Sequence, residues 1–225
     1  MARWSNATLV ALGGFDKNVI IDELLWGEDN YYDITYLADT QRTTQGFSGS
    51  TVTFTNGDNS VFQQYNYVSF GNSSELYEIL SLTDHTLTLD RAPAITVPSG
   101  SSIQSPINLT EAQFQFRLLE HTATITDDTR AGVDIGDITP KVGATIINLD
   151  SNVLLDVPGK SLTLGQIRVI IQGSDLQDSP IIDTSQPPLY TGYVGVTLPG
   201  PDGVTPSQVK KQRICFILRA DGTNS

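Results

Sequence analysis

The chain has 225 residues and a net charge of −12, from 13 Lys and Arg against 25 Asp and Glu, and 17% of its residues are charged. It is long enough for one or two domains with a sizeable core, and its composition excludes collagen, coiled coil and a disordered tail. The acidic balance argues against a nucleic-acid partner held by phosphate attraction.

The N-terminal run MARWSNATLVALGGFDKN is too short and too broken in its apolar part for a secretory leader. The longest apolar run, Ile214 to Leu218, has five residues, against the roughly 20 that a membrane span needs. These features predict a protein made in the cytosol with no membrane partner. The sequons at Asn6, Asn72 and Asn108 then read as chance matches in a chain with 44 Ser and Thr.

Residues 1–45 differ in style from the rest. DELLWGEDNYYDITYLADTQRTTQ carries Trp26, Tyr31, Tyr32 and Tyr36 among many acids, with weak periodicity. Such a segment is either an arm laid on a neighbouring subunit or an ordinary strand pair. Tyr and Trp offer large contact area at modest entropy cost, which makes these four residues interface candidates. Glu28, Asp29 and Asp33 could form a carboxylate pair for glycoside hydrolysis, but adjacent acids here read better as a solvated or interface face.

Strand signals dominate from 46 to 108. TVTFT at 51–55 leads into Asn56-Gly57, a strong hairpin signal. Phe62–Phe70, Glu75–Ser81, Thr86–Leu89 and Ser101–Asn108 follow as strands. Gly71-Asn72, Thr83-Asp84 and Pro98-Ser99-Gly100 supply turn chemistry between them. Five short strands within about 60 residues predict a compact barrel or small sandwich over 46–108.

Residues 109–225 read as a sandwich domain. Thr110 with Gln113 fits a helix capping box, yet Phe114, Phe116 and Leu118 alternate with Gln113, Gln115 and Arg117, which favours a strand. A long loop is expected over 127–141. Strands are expected at Ala144–Leu149, Val153–Val157, Ser161–Leu164, Ile167–Gln172, Tyr190–Leu198 and Val209–Arg219, with an irregular excursion over 173–188. The fold class is therefore all-β: sandwich and barrel modules with long irregular loops, and an extended N-terminal arm as one reading of residues 1–45.

Templates for chemistry fail one by one. Gly159-Lys160-Ser161 lacks the upstream glycine of a phosphate loop and reads as a hairpin tip. Gly46–Ser50 imitates a nucleophile elbow, but no helix follows it. His85 and His121 are too few and too far apart for zinc, and no partner marks His121 beside Glu120 as a catalytic base. Cys215, the lone cysteine, sits in an apolar strand as a small core residue. Asp127, Asp128, Asp134 and Asp137 crowd one Gly-containing loop and are calcium candidates, although a solvated acidic loop is the simpler reading. No catalytic residue and no cofactor is expected.

The position of the charge is more telling than its total. Eleven acids and one base, Arg42, lie between Asn18 and Asp90, whereas Val204 to Arg219 holds Lys210, Lys211, Arg213 and Arg219 with no acid. Complementary regions of this kind steer head-to-tail contacts and suit a homo-oligomer in a ring or lattice. Lys210, Lys211 and Arg213 join the interface candidates on that ground.

YVSFGNSSELYEILSLTDHTLTLDRAPAITVPSGSSI resembles a pattern common in structural proteins of tailed bacteriophages, with Tyr77-Glu78-Ile79 and Thr86 to Asp90 carrying the match. It spans about 40 residues, a fifth of the chain. The single Cys, the lack of internal Met and the long irregular excursions are similar to virion proteins of marine phages, including those of cyanobacteria. The resemblance implies a non-enzymatic subunit of the virion whose partners are other virion proteins. It points to tail, neck or baseplate, with a capsid decoration (cement) protein as the alternative. A carbohydrate-binding host-recognition module is the alternative of another class.

Overall fold

The computed structural model describes residues 3–11, 21–25, 29–71, 73, 75–94, 96–121, 146–176, 189–200 and 206–219, with backbone alone for 3–11, 21–25, 120–121, 189, 191 and 206–219. The strands in the N-terminal half are β1 (Arg3–Ala11), β2 (Ile21–Leu25), β3 (Asn30–Ser48), β4 (Thr51–Thr55), β5 (Tyr67–Phe70), β6 (Tyr77–Thr83), β7 (Thr86–Leu89) and β8 (Ser102–Pro106). After them come β9 (Gln113–His121), β10 (Ile147–Asn148), β11 (Val153–Leu154), β12 (Gln166–Ile171), β13 (Leu189–Pro199) and β14 (Pro206–Arg219). The helical elements among the described residues are 3-10 turns of three or four residues. The fold is all-β.

Strand β3 organises the molecule. Its 19 residues span roughly 60 Å at the ordinary strand rise. They are rich in the Tyr, Ile and Thr that favour an extended, half-buried backbone. Asn30–Tyr36 pairs in parallel with β1 on one side, and Asn30–Thr35 pairs antiparallel with β12 on the other, where β11 completes the sheet. A second sheet, in the order β10-β9-β13-β14-β2, provides the other layer. Tyr32, Ile34 and Tyr36 of β3 and Ile167, Val169 and Ile171 of β12 are buried with Phe116, Leu118, Tyr190, Val194 and Val196 of the second sheet. This is a β-sandwich, with Leu109, Leu149 and Leu176 of the connections closing its core.

Beyond Tyr36 the same strand enters a different structure. Its C-terminal part pairs with β8 on one side and β4 on the other. From there β4 pairs with β7, β7 with β6, β6 with β5, and β5 with β8. All six pairings are antiparallel, and they return to their starting point. Strands β3, β4, β7, β6, β5 and β8 thus form a closed barrel, which removes its free edges. The interior holds Val52, Phe54, Phe62, Val68, Phe70, Tyr77, Ile79, Leu87, Leu89 and Ile103. Each such side chain contributes roughly 1.5–3 kcal/mol by leaving water, and the aromatic ones meet edge to face, Phe54 on Phe62 and Phe47 on Phe70.

A bend in β3 lets one strand serve both modules. Against β8 its register jumps between Asp39 and Arg42, where Gln41 takes a left-handed φ of 62°. Extra residues of this kind bend and twist a strand. The Asp39 carboxylate accepts the Gln41 N–H at 2.9 Å, and the Thr40 hydroxyl donates to the Ile103 carbonyl at 2.6 Å, which holds the bend. At the junction the Tyr36 N–H donates to the Gly165 carbonyl at 2.8 Å, and its carbonyl accepts the Ile107 N–H at 3.0 Å.

Two local expectations are corrected. Asn56-Gly57 does not close a hairpin: β4 is flanked by β3 and β7. Asn56 spends its left-handed φ of 67° on leaving the strand toward a 3-10 turn at Asn59–Val61, capped by the Asp58 carboxylate on the Ser60 N–H at 3.0 Å. The strand expected from Phe62 therefore begins only at Tyr67. Ser161–Leu164 is likewise no strand; a 3-10 turn spans Leu162–Leu164, and Gly165 in the left-handed region ends it.

Gln113–His121 follows the strand alternative. Phe116 and Leu118 are buried while Gln113 and Gln115 are exposed, and Asn108 receives the Thr110 N–H and hydroxyl in place of a helix cap.

Candidate functional site

Three large apolar side chains stand out of the barrel: Tyr65 at 65% exposure, Val61 at 45% and Leu80 at 42%. Tyr65 has a left-handed φ of 67°, a conformation that costs a residue with a Cβ energy and is over-represented at functional positions. Leu80 is the extra residue of a β-bulge, since Ile79 pairs with Leu89 and Ser81 pairs with the adjacent Thr88. A bulge re-aims side chains, and here Leu80 is exposed although Ile79 beside it is buried. The Tyr65 N–H donates to the Ile79 carbonyl at 2.8 Å, the Ile79 N–H to the Asn66 carbonyl at 2.8 Å, and the Gln64 amide to the Leu80 carbonyl at 2.7 Å. The backbone at Tyr65 and beside Leu80 is therefore fixed.

The barrel segment that carries them is one-sided in charge. Between Arg42 and Arg91 there are five acids (Asp58, Glu75, Glu78, Asp84 and Asp90) and no Lys or Arg. The two flanking arginines are occupied. Arg42 donates to the Asp58 carbonyl at 2.9 Å and lies 3.5 Å from its carboxylate. Arg91 pairs with Asp90 at 2.6 Å and Glu75 at 3.2 Å, with its guanidinium 4.7 Å from the centre of the Tyr77 ring.

Strands β6 and β7 meet at this clamp. Tyr77, Ile79, Leu87 and Leu89 all face the barrel core. Asp90 extends the β6–β7 ladder through its N–H to the Glu78 carbonyl, 2.9 Å, while its carboxylate accepts the Glu78 N–H at 3.1 Å. The Tyr77 hydroxyl donates to Glu75 at 2.7 Å. Burial, reinforced by that carboxylate, pushes its phenol up to about 12.

On the sandwich, charges are tied up in pairs. Asp33 accepts Arg168 through both oxygens at 2.7 and 3.1 Å, and Lys160 lies 2.7 Å away. Burial pushes the Asp33 carboxyl up, but the hydrogen bonds from Arg168 and Lys160 outweigh it and hold the group below its ordinary value. Asp150 receives the Arg117 guanidinium and the Phe116 N–H, and that guanidinium lowers its pKa. Asp29 accepts the Gly173 N–H at 3.1 Å. Asp29 and Asp33 are thus held in separate contacts of the fold, and Glu28 lies outside the described residues.

The sequence-derived interface residues fall in three places. Tyr32 and Tyr36 are corrected to core residues, 2% and 0% exposed, because β3 is an inner strand of the sandwich and not an arm. The Tyr36 hydroxyl crosses the core to the Val194 carbonyl at 2.8 Å, and burial drives its phenol far above its ordinary range. Tyr31 is half-buried on the same strand. Lys210, Lys211 and Arg213 lie on β14 opposite Val196, Gly195 and Tyr193. Trp26 and the calcium candidates Asp127, Asp128, Asp134 and Asp137 lie outside the described residues.

Among the described residues no three His, Cys, Asp or Glu gather to hold a metal, and no helix is long and apolar enough to cross a membrane. Sequence reasoning missed Val61, Tyr65 and Leu80. The signal for Tyr65 was the Gln63-Gln64 pair, which breaks the alternation after Phe62; the bulge that exposes Leu80 has no local signature. Comparison with protein-family models and with curated proteins returns no match.

Proposed function

We propose that this chain is a non-enzymatic structural subunit of a tailed-phage virion, a tail, neck or baseplate component that holds neighbouring subunits together. The observation that carries the reading is the separation of charge. Residues 43–90 contain five acids and no base, whereas β14 contains four bases and no acid. Opposed potentials on one chain favour ordered encounters between copies or with companion proteins. A barrel and a sandwich that share one strand suit this work, because a load on either module passes through a continuous hydrogen-bonded backbone.

Electron cryo-microscopy of the intact particle tests the proposal. Density for the protein in the tail, neck or baseplate is the expected result, density on the capsid surface would assign it instead as a decoration protein, and absence from purified particles would sink the reading. A second reading, a carbohydrate-binding module, is favoured by the exposed Tyr65 ring among Gln63, Gln64 and Asn66, since sugars stack on aromatic faces beside amides. Binding on a glycan array that is lost in Tyr65→Ser would support it.

A further inference from the structure

We infer that β1 and β2 form an exchangeable arm: in the assembled protein, the arm of one copy lies on the β3 and β14 edges of a second copy. The inference rests on the proposed assembly role and names the segment that performs it. Its first ground is strand direction. β1 pairs in parallel with β3, from Arg3 opposite Asn30 to Ala11 opposite Tyr36. β2 pairs in parallel with β14, from Ile21 opposite Cys215 to Leu25 opposite Arg219. The other pairings among the described strands are antiparallel. Each arm strand is thus added to the edge of one layer of the sandwich, and β1 approaches β14, which puts the two edges on one side. Bared, residues 30–36 of β3 and 215–219 of β14 would present rows of unpaired N–H and C=O groups, the template on which an added strand docks.

The second ground is the connection. Leu25 ends a strand of one sheet and Asn30 begins a strand of the other, with only Trp26-Gly27-Glu28-Asp29 between them. Packed sheets lie about 10 Å apart, and five Cα steps reach at most roughly 18 Å. Seating the arm on its own chain therefore leaves the connection little slack, and short connections of this kind favour exchange between copies. The far side of the connection is fixed, since the Asp29 carboxylate accepts the Gly173 N–H at 3.1 Å and Asn30 is buried. The arm is the part that can change owner.

The occupant is a second copy of this chain because both registers are already specified. An arm that crosses to a neighbour repeats every backbone pair it makes at home, so exchange loses none of these hydrogen bonds and relieves the connection.

The lone cysteine provides the test. Ile21 and Cys215 are register partners, and neighbouring strands bring such partners to a Cα separation of about 4.8 Å, inside the range a disulfide spans. Full-length Ile21→Cys/Cys215→Ser is co-expressed with the wild type, whose single thiol is Cys215. After oxidation, the expected result is a covalent pair of chains on a non-reducing gel, joined between positions 21 and 215 by peptide mass spectrometry. In this mixture that bridge can form only between copies. Ile21→Cys alone should give covalent oligomers by the same bridge. Monomers bridged internally, with no 21-to-215 link in the mixture, would overturn the inference, as would no bridge in either experiment.

A second measurement leaves both strands intact. Inserting about six Gly and Ser residues after Gly27 gives the arm slack to close on its own chain, and should weaken association at least about tenfold in sedimentation velocity. Unchanged association, or a wild type monomeric at every concentration, would overturn the inference. Should the protein lie in the particle while its arm bridges only within its own chain, this inference fails and the virion reading stands. A bridge between copies of a protein absent from particles removes the virion reading and leaves the exchange.

Discussion

Alanine at Gly165 places two separate burdens on one backbone position. Gly165 has a φ of 69°, where a Cβ costs about 1–2 kcal/mol. The new methyl would also overlap the Tyr36 carbonyl oxygen and approach the Ile107 oxygen and nitrogen at 3.1 and 3.2 Å. Those atoms belong to the junction between sandwich and barrel, where Tyr36 bonds Gly165 at 2.8 Å and Ile107 at 3.0 Å. Relieving the overlap breaks at least one of these bonds, adding about 1–3 kcal/mol for a buried group left without its partner. The total is about 2–5 kcal/mol. Gly159 provides the control: its φ is 78°, but nothing lies within 4 Å of its Cβ position, so Gly159→Ala should lose only the conformational part. Urea denaturation followed by near-ultraviolet circular dichroism measures both. The midpoint should fall clearly further for Gly165→Ala than for Gly159→Ala at unchanged slope. Equal shifts would refute the claim that backbone crowding at this junction leaves no room for a side chain.

Four further outcomes follow from the geometry. Because the folded-state pKa of Asp33 is depressed, its ion pair stabilises fully above about pH 4 and is lost as pH falls through the folded value. Urea midpoints across pH should show Asp33→Asn less stable at neutrality, with a shallower acid decline. The Tyr77 phenol, raised to about 12 from an ordinary value near 10, stabilises below pH about 10, and this contribution disappears as pH climbs toward 12; Glu75→Gln should lower its ionisation step in a near-ultraviolet absorbance titration. Phe54→Ala empties a position that is 1% exposed at the centre of the barrel and should cost about 3–5 kcal/mol. Val61→Ala, at an exposed position, should change stability by less than about 0.5 kcal/mol in the same denaturation experiment.

Residue chemistry by itself determined the β character of this chain and the place of several of its strands. Thr86–Leu89, Gln113–His121, Gln166–Ile171 and Leu189–Pro199 are legible because a two-residue period is a local property: alternate side chains must face opposite sides of a sheet whatever the neighbours are. The turn around Ser99-Gly100 is legible for the same reason, since left-handed backbone is a property of the residue.

The tertiary structure decided everything that depends on which strands meet. That the Asn56-Gly57 signal is spent on leaving a strand follows from β4 lying between β3 and β7. That Tyr32 and Tyr36 are core residues and not contacts for another subunit follows from β3 lying inside the sandwich. An aromatic ring among acids buries equally well against its own chain or another, and only the completed sheets choose between them. The exposure of Tyr65 and Leu80 is decided in the same way. Tyr65 and Leu80 lie fifteen residues apart in the sequence, and they face solvent only because a strained turn and a bulge put them out of step with the strands that close the barrel.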